Sequence, residues 1–566
     1  MAAAKAVRKP KYKTAPDEKL KGWPGGVPYI IGNEGCERFS FYGMKSILQV
    51  HLTALFVVVY AGVTAEEHAQ EMVHLFVAGV YAFPMIGAMI ADRLLGKYNT
   101  IIALSLVYCL GHAVLSIAES TITGMWIGLS LIAIGSGGIK PCVSAHVGDQ
   151  FGKSNWHLVD KVFQMFYFII NFGSFFSTLL IPFIYDWEKK NLNWGFEIGG
   201  HHFTTSIAFG LPGILMFIAT FWFWMGRNKF VHVPANPGGK LGLLDTISGS
   251  MLFLGFIGLP MFFMDILSPT QFWITGAIFI VVGFTLFNYR QSLKQDDGFL
   301  AVFFYSLKAW IKGENKKAIK AAGNVSTDSI KKHWFFAAAA KKFDEITAEG
   351  PRAVIRIMIV FILVSVFWAL FDQHASSWVR QAQRMELQTN LFGWSFNLLP
   401  SQISALNPLM VMALIPFNML WFYPFMNRFV KFTPLKKMAF GMFIASGAFV
   451  SVALLQEVID AGAETGTKVH ALWQFIPYLI MTQSEVMVSI TGLAFAYTQA
   501  PKRMKSTIMG FWLLTVALGN KLVAFMTGLE SMPLSKFFWV FAIIMAIAAV
   551  GFSILASRYK YKDYPQ

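Results

Sequence analysis

The chain of 566 residues is 55% hydrophobic and only 14% charged, and 55 of its residues are Phe. A soluble chain of average make-up carries about 25% charged residues, and the mean hydropathy of +0.52 points the same way. These values exclude a soluble enzyme, a disordered scaffold and a disulfide-stapled secreted domain, and leave a polytopic membrane protein.

The 47 basic and 31 acidic residues give a net charge of +16. The basic residues fall in short loops between apolar runs, so membrane topology explains them and no nucleic-acid partner is implied. Cys36, Cys109 and Cys142 all lie in apolar segments without metal spacing, so no metal site is expected.

Residues 1–26 carry Lys5, Arg8, Lys9, Lys11, Lys13, Lys19 and Lys21 but no apolar core. They read as a cytoplasmic tail and not as a signal peptide. A helix needs about 20 apolar residues to cross a bilayer. On that rule six spans lie near 27–58, 72–94, 99–118, 122–144, 160–184 and 205–226, with two more near 243–264 and 271–290. After a polar stretch, six further spans lie near 353–380, 404–427, 437–457, 470–497, 505–530 and 537–558. The expected organisation is an N-terminal six-helix bundle (27–226), two linker helices (227–290), a cytoplasmic amphipathic loop (291–352), a C-terminal six-helix bundle (353–558) and a tail (559–566).

Loop charges agree with both termini in the cytoplasm of a multi-pass cell-membrane protein. Inside loops hold Arg93 and Lys97, Arg227 and Lys229, Arg428 to Lys437, and Lys502 to Lys505. Outside loops hold Glu66, Glu67 and Glu71, then Glu457, Asp460 and Glu464. Lys189 and Lys190 break the pattern, offset by Asp186, Glu188 and Glu197. In the 291–352 loop, Phe303, Phe304, Leu307, Trp310 and Ile311 beside Lys308 and Lys312 predict an amphipathic helix suited to the membrane surface.

Two six-span halves joined by a long cytoplasmic connection suggest a rocker transporter with its site between the halves. An ionisable group inside a span costs at least about 2.5 kcal/mol, so each one needs a partner, a wet cavity or a purpose. Glu34, Glu37 and Arg38 are spaced i, i+3, i+4 and share one helix face, which Phe41, Tyr42 and Lys45 extend. Two carboxylates beside one guanidinium cannot both be cheaply ionised, so one of them is suited to taking up a proton. A static salt bridge would use one Glu–Arg pair and leave the second Glu idle. Lys140, in Gly138-Ile139-Lys140-Pro141, is too far from either span end to snorkel and needs an anion. Asp372 and Glu485 bring acids to the other half, and His74 opens the core of the second span. No Gly-Lys-Ser/Thr phosphate loop, zinc helix or nucleophile elbow is present, so a chemical energy source and an enzyme are not expected.

The run Glu34-x-x-Glu37-Arg38-Phe39-x-x-Tyr42-Gly43 resembles the first-helix signature of the proton-dependent oligopeptide transporters, the peptide branch of the major facilitator superfamily. Similar matches are Gly87-x-x-x-Ala91-Asp92-Arg93-x-x-Gly96-Lys97, Gly138-Ile139-Lys140-Pro141 with Ser144, and Phe166-Tyr167-x-x-Ile170-Asn171-x-Gly173-Ser174. Phe367-Trp368-x-x-Phe371-Asp372-Gln373, Glu485-Val486 with Thr491-Gly492, and Gln499-Ala500-Pro501 match the C-terminal half.

The resemblance implies an all-α integral membrane protein with the major facilitator fold plus two extra central helices, fourteen spans in all, as in prokaryotic-type members. It implies proton-coupled import of di- and tripeptides, with the proton as coupling ion and no other cofactor. Glu34, Glu37, Arg38 and His74 would couple protons. Arg38, Tyr42, Tyr81, Lys140, Asn171, Asn407, Glu485 and Trp512 would bind substrate, with Glu485 on the peptide ammonium and on Lys140 when empty. Lys45 and Asp372 would form a gate. Phe41 stands where many members carry tyrosine. The competing expectations are a carrier of another small solute, such as an amino acid or nitrate, and a transporter-like sensor.

Overall fold

The computed structural model describes residues 12–60, 63–191, 195–198, 201–264, 267–294, 298–323, 325–326, 329–375, 377–391, 394–397, 403, 405–525 and 532–564. The chain divides into two compact units, one running to Gly242 and the other from Leu243 to Tyr564.

The first unit contains α1 (Val27–Val57), α2 (Val63–Ile90), α3 (Lys97–Ala118), α4 (Ile122–Gly148), α5 (Val159–Asn191) and α6 (Ile207–Met225). A π-helical turn, Ala91–Leu95, extends α2, and Gly96 at φ +79° then turns the chain into α3. Only glycine adopts that backbone without strain. Pro28 sits in the first turn of α1, where a missing N–H costs nothing. The Thr121 hydroxyl caps α4 by accepting from the Gly124 N–H at 3.0 Å. A short hairpin, β1 (Gly195–Ile198) with β2 (His201–Thr204), joins α5 to α6. Within this unit α3 packs on α4 and α6, α1 on α5 and α6, and α2 on α4.

The basic residues in the last turn of α5 are neutralised more widely than expected. Lys190 pairs with Asp186 at 2.7 Å, but Lys189 reaches Glu119 at 2.9 Å. Glu188 is taken up elsewhere: it accepts the N–H groups of Ile207 and Ala208 at 2.8 and 3.0 Å, an anion at the start of α6.

The second unit begins within α7 (Gly239–Phe253), which is prolonged by a π-helical stretch Leu254–Phe263, and continues with α8 (Pro269–Leu293). Arg290 and Asp245 tie these two helices by a buried ion pair at 2.8 Å. Then come α9 (Phe299–Ile311), α10 (Glu314–Ala321), α11 (Ala337–Lys342), α12 (Glu345–Phe371) and α13 (Ser377–Ala382). A hairpin of β3 (Gln388–Leu391) and β4 (Trp394–Asn397) precedes α14 (Leu406–Phe417), α15 (Tyr423–Met426) and α16 (Pro434–Thr465). The last helices are α17 (Phe475–Glu485), α18 (Thr491–Gln499), α19 (Lys505–Phe525) and α20 (Leu534–Arg558). A π-helical turn, Val486–Ile490, separates α17 from α18 directly after Glu485.

Among the described residues, thirteen helical stretches are long and apolar enough to cross a membrane. The 31-residue α1 is the fourteenth by length, although it carries Glu34, Glu37, Arg38 and Lys45.

The segment after α8 differs from a simple amphipathic helix. The buried residues of α9 are Ala301, Val302, Ser306 and Ala309, whereas Trp310 and Ile311 are exposed. The cause is α11, whose Ala337–Ala340 side chains are small enough to let α9 pack against them. At the other end of the unit, residues 559–564 cross the ends of several helices. Lys505 donates to the Tyr497 and Tyr564 carbonyls at 3.1 and 2.8 Å, Gln499 to Asp563 at 2.6 Å, and Arg356 to the Lys560 carbonyl at 2.7 Å.

Candidate functional site

Each unit holds a cluster of buried polar groups. In the first, Arg38 Nε lies 2.7 Å from Glu34 Oε1 and 3.3 Å from Glu37 Oε2. Both carboxylates are fully buried. Helical spacing along α1 puts all three on one face, as the i, i+3, i+4 pattern demands. Ser136 of α4 donates to Glu37 Oε1 at 3.2 Å. One guanidinium therefore serves two acids, and Glu34 Oε2 has no hydrogen-bond partner among the described residues. The neighbouring Asn33 and Tyr108 side chains are likewise buried without a partner there.

Lys140 lies one helical turn beyond Ser136 on the same α4 face, and its Nζ sits 3.7 Å above the Phe41 ring. A desolvated cation over an aromatic face is stabilised by about 2 kcal/mol. Phe41 therefore serves the cation through its ring face. α4 approaches α2 closely because both are glycine at the crossing. A Cβ on Gly87 would lie 2.3 Å from the Gly138 Cα. That contact explains why two of the expected motifs carry glycine at these positions.

In the second unit, Asn407 of α14 donates to Glu485 Oε2 of α17 at 2.7 Å and to Thr482 at 3.2 Å. Glu485 is almost completely buried. Just past the C-terminal end of α14, Asn418 and Gln483 exchange reciprocal amide hydrogen bonds of 2.9 and 2.7 Å, fixing that end against α17. Trp512 of α19 packs edge-on to Phe361 and Trp368. Its ring also covers Gly492, where a Cβ would meet Trp512 Cη2 at 2.1 Å. The Thr491-Gly492 motif is thus a seat for the indole.

The remaining expected residues are placed as follows. Tyr42 meets Phe41 edge-on at 5.4 Å, and Tyr81 is half-buried on α2. The Asn171 amide donates to the Tyr167 carbonyl of its own helix at 2.9 Å. Lys45 is exposed on α1, and Asp372 follows the end of α12, half-buried. His74 lies on α2, and its side chain falls outside the described residues. Sequence reasoning missed Ser136 and Thr482. Both were within reach, since Ser136 stands four residues before Lys140 and Thr482 three before Glu485, on the same helix faces.

A membrane-spanning helical bundle that holds ionisable side chains in its interior belongs to the class of polytopic transport proteins. The model of the POT family matches residues 98–242 and 274–540. Among solved structures, that of the POT family transporter PepTSo is 35% identical with a TM-score of 0.65, covering 96% of this chain and 100% of that one. A second proton dependent oligopeptide (POT) family transporter is 36% identical with a TM-score of 0.58, over 93% of this chain and 100% of that one. Peptide transporter 3 of Caenorhabditis elegans is 30% identical over 79% of this chain and 53% of its own length. Solute carrier family 15 member 2 of Homo sapiens is 31% identical over 86% and 56%. The chain spans about half the length of these curated relatives.

The chain belongs to the POT family, and its fold is the all-α major facilitator fold with two additional central helices, α7 and α8.

Proposed function

We propose that this protein is a proton-coupled symporter that imports di- and tripeptides across the cell membrane by alternating access. The observation that carries the reading is the pairing of two buried carboxylates, Glu34 and Glu37, with the single guanidinium of Arg38. Loss or gain of one proton there changes which acid holds Arg38. Relatives named as peptide transporters support the substrate class. A zwitterionic peptide carries one cation and one anion at nearly constant separation, while its side chains vary. Glu485 would take the ammonium, Arg38 and Lys140 the carboxylate, and Asn171 and Asn407 the backbone. Tyr42, Tyr81 and Trp512 would supply tolerant aromatic walls.

In the same reading His74 joins the proton path, Lys45 and Asp372 gate the outer side, and both termini face the cytoplasm. No cofactor beyond the proton takes part, and no chemistry is performed. The two curated relatives named above are animal proteins, so a prokaryotic type rests on α7 and α8 alone. Uptake of a labelled dipeptide into proteoliposomes, with and without an inward proton gradient, is the test. Accumulation that ignores the gradient, or binding without transport, would refute it.

A further inference from the structure

The described residues between 299 and 348 form a small body with its own core. Val302, Ile330, Phe335, Phe336, Ala339, Ala340 and Ala348 are buried together, and Phe303, Tyr305, Leu307 and Phe343 pack around them. The buried Asn315 closes the body by donating to the Phe335 carbonyl at 2.9 Å and accepting from the Ala338 N–H at 2.8 Å. The body is fastened to a spanning helix on either side. The Phe304 ring lies 5.5 Å from those of Phe284 and Phe287 in α8, and Ile355 of α12 packs on its core. It is therefore held between the C-terminal part of α8 and the N-terminal part of α12.

The core leaves four large apolar side chains outside: Trp310 at 52% exposure, Trp334 at 63%, Ile311 at 72% and, at the start of α12, Ile346 at 89%. The two indoles are adjacent, with ring centroids 6.3 Å apart. Exposed on the same body are Lys308, Lys312, Lys316, Lys317, Lys320, Lys341 and Lys342. Between 299 and 348 nine lysines face four acids, Glu314, Asp328, Asp344 and Glu345. Glu345 is engaged by Lys331 at 2.7 Å, and Asp344 caps α12 through the Thr347 N–H at 2.7 Å. The body is basic, and its apolar tip consists of the residue types that settle at a membrane interface.

We propose that this body docks on anionic lipid headgroups of the adjacent cytoplasmic leaflet. Trp310, Ile311 and Trp334 enter the interface while the lysines engage the phosphates. Each lysine near an anionic surface strengthens attachment about fivefold. The bilayer is the occupant because tethering to α8 and α12 keeps it within reach of the tip at all times. The proposal goes beyond peptide transport and rests only on the assignment of this loop to the cytoplasmic side, so its failure leaves the transport reading untouched.

The test uses the full chain with Ile311→Cys carrying a nitroxide, in discs of phosphatidylcholine alone or with phosphatidylglycerol. The unsubstituted chain, treated in parallel, accounts for Cys36, Cys109 and Cys142. With phosphatidylglycerol, accessibility to oxygen relative to a nickel chelate should rise severalfold. Adding Lys308→Gln, Lys312→Gln, Lys316→Gln and Lys317→Gln together should return it to the phosphatidylcholine value. All four lysines are exposed, so the variant should fold, and unchanged dipeptide uptake by it checks this. The same ratio in both discs, or a response to phosphatidylglycerol that survives the four substitutions, would overturn the proposal. So would a nitroxide that stays in water throughout, which points to a soluble partner.

Discussion

In the first unit, Glu34 and Glu37 are met by a cation from their own helix; in the second, Glu485 is met by an amide from a different one. Arg38 compensates the charge of one carboxylate, so these three groups of α1 are neutral only while one of the two acids holds a proton. Asn407 stabilises a carboxylate through its dipole without cancelling the charge. The first arrangement suits a group that exchanges a proton. The second fixes the position of a carboxylate by hydrogen bonding between two helices. The difference also reaches the backbone. α1 runs unbroken through its cluster, whereas the helix carrying Glu485 loosens into a π turn immediately after it. Such turns are frequent at functional sites.

The comparison breaks first if Glu37 can be neutralised without consequence. Glu37→Gln should abolish gradient-driven dipeptide accumulation while peptide exchange across the membrane continues. Uphill uptake at the normal level would show that the α1 cluster is merely structural. The next effect in size lies in the second unit. Glu485→Gln should weaken binding of a free dipeptide about ten- to a hundredfold, the loss of one charged hydrogen bond of roughly 1.5–3 kcal/mol. An N-acetylated dipeptide, which brings no ammonium, should lose far less. Equal losses in competition binding would make Glu485 a packing residue.

A smaller change tests the seat of Lys140. Phe41→Leu removes the ring 3.7 Å below the ammonium and should weaken dipeptide binding by up to about thirtyfold, the worth of a desolvated cation–π contact. Phe41→Tyr keeps the ring and should bind as the parent does. If leucine and tyrosine behave alike, the ring contact contributes nothing.

The smallest effect separates local acid sensitivity from coupling. Burial, with Arg352 and Arg356 nearby, lowers the His333 imidazole from 6.5 to about 4. Its Nδ1 accepts the N–H groups of Phe335 and Phe336 at 3.2 and 3.3 Å. A depressed histidine contributes stability that is present above its unfolded value and is lost as pH falls from about 6.5 towards 4. Protection against hydrogen exchange in 330–343, taken relative to the intrinsic rate at each pH, should therefore fall between pH 7 and pH 5. His333→Asn, which offers an oxygen at the same place but does not titrate, should remove that pH response. The acid dependence of uptake should be unchanged. An altered uptake profile would place a coupling group outside both clusters.

The fourteen spans and the α1 cluster were legible because their causes are local. Twenty apolar residues partition into lipid whatever surrounds them, and three residues at i, i+3, i+4 share a face wherever the helix lies. The glycine motifs were legible as motifs but not as contacts. That Gly87 admits Gly138, and that Gly492 admits Trp512, depends on which helices cross.

The amphipathic loop shows the opposite case. Phe303, Leu307 and Trp310 look alike in sequence, yet the first two pack on a core built with Phe335 and Phe336, while Trp310 stays outside. By itself the sequence determined how many helices enter the membrane, which carry charge and which family the motifs resemble, because burial of apolar length is paid residue by residue along the chain. Only the tertiary structure decided that Asn407 holds Glu485 from 78 positions away, that Ser136 reaches Glu37, and that Lys140 rests on Phe41. A buried polar group takes whichever partner packing brings within about 3 Å, and packing is a property of helices side by side.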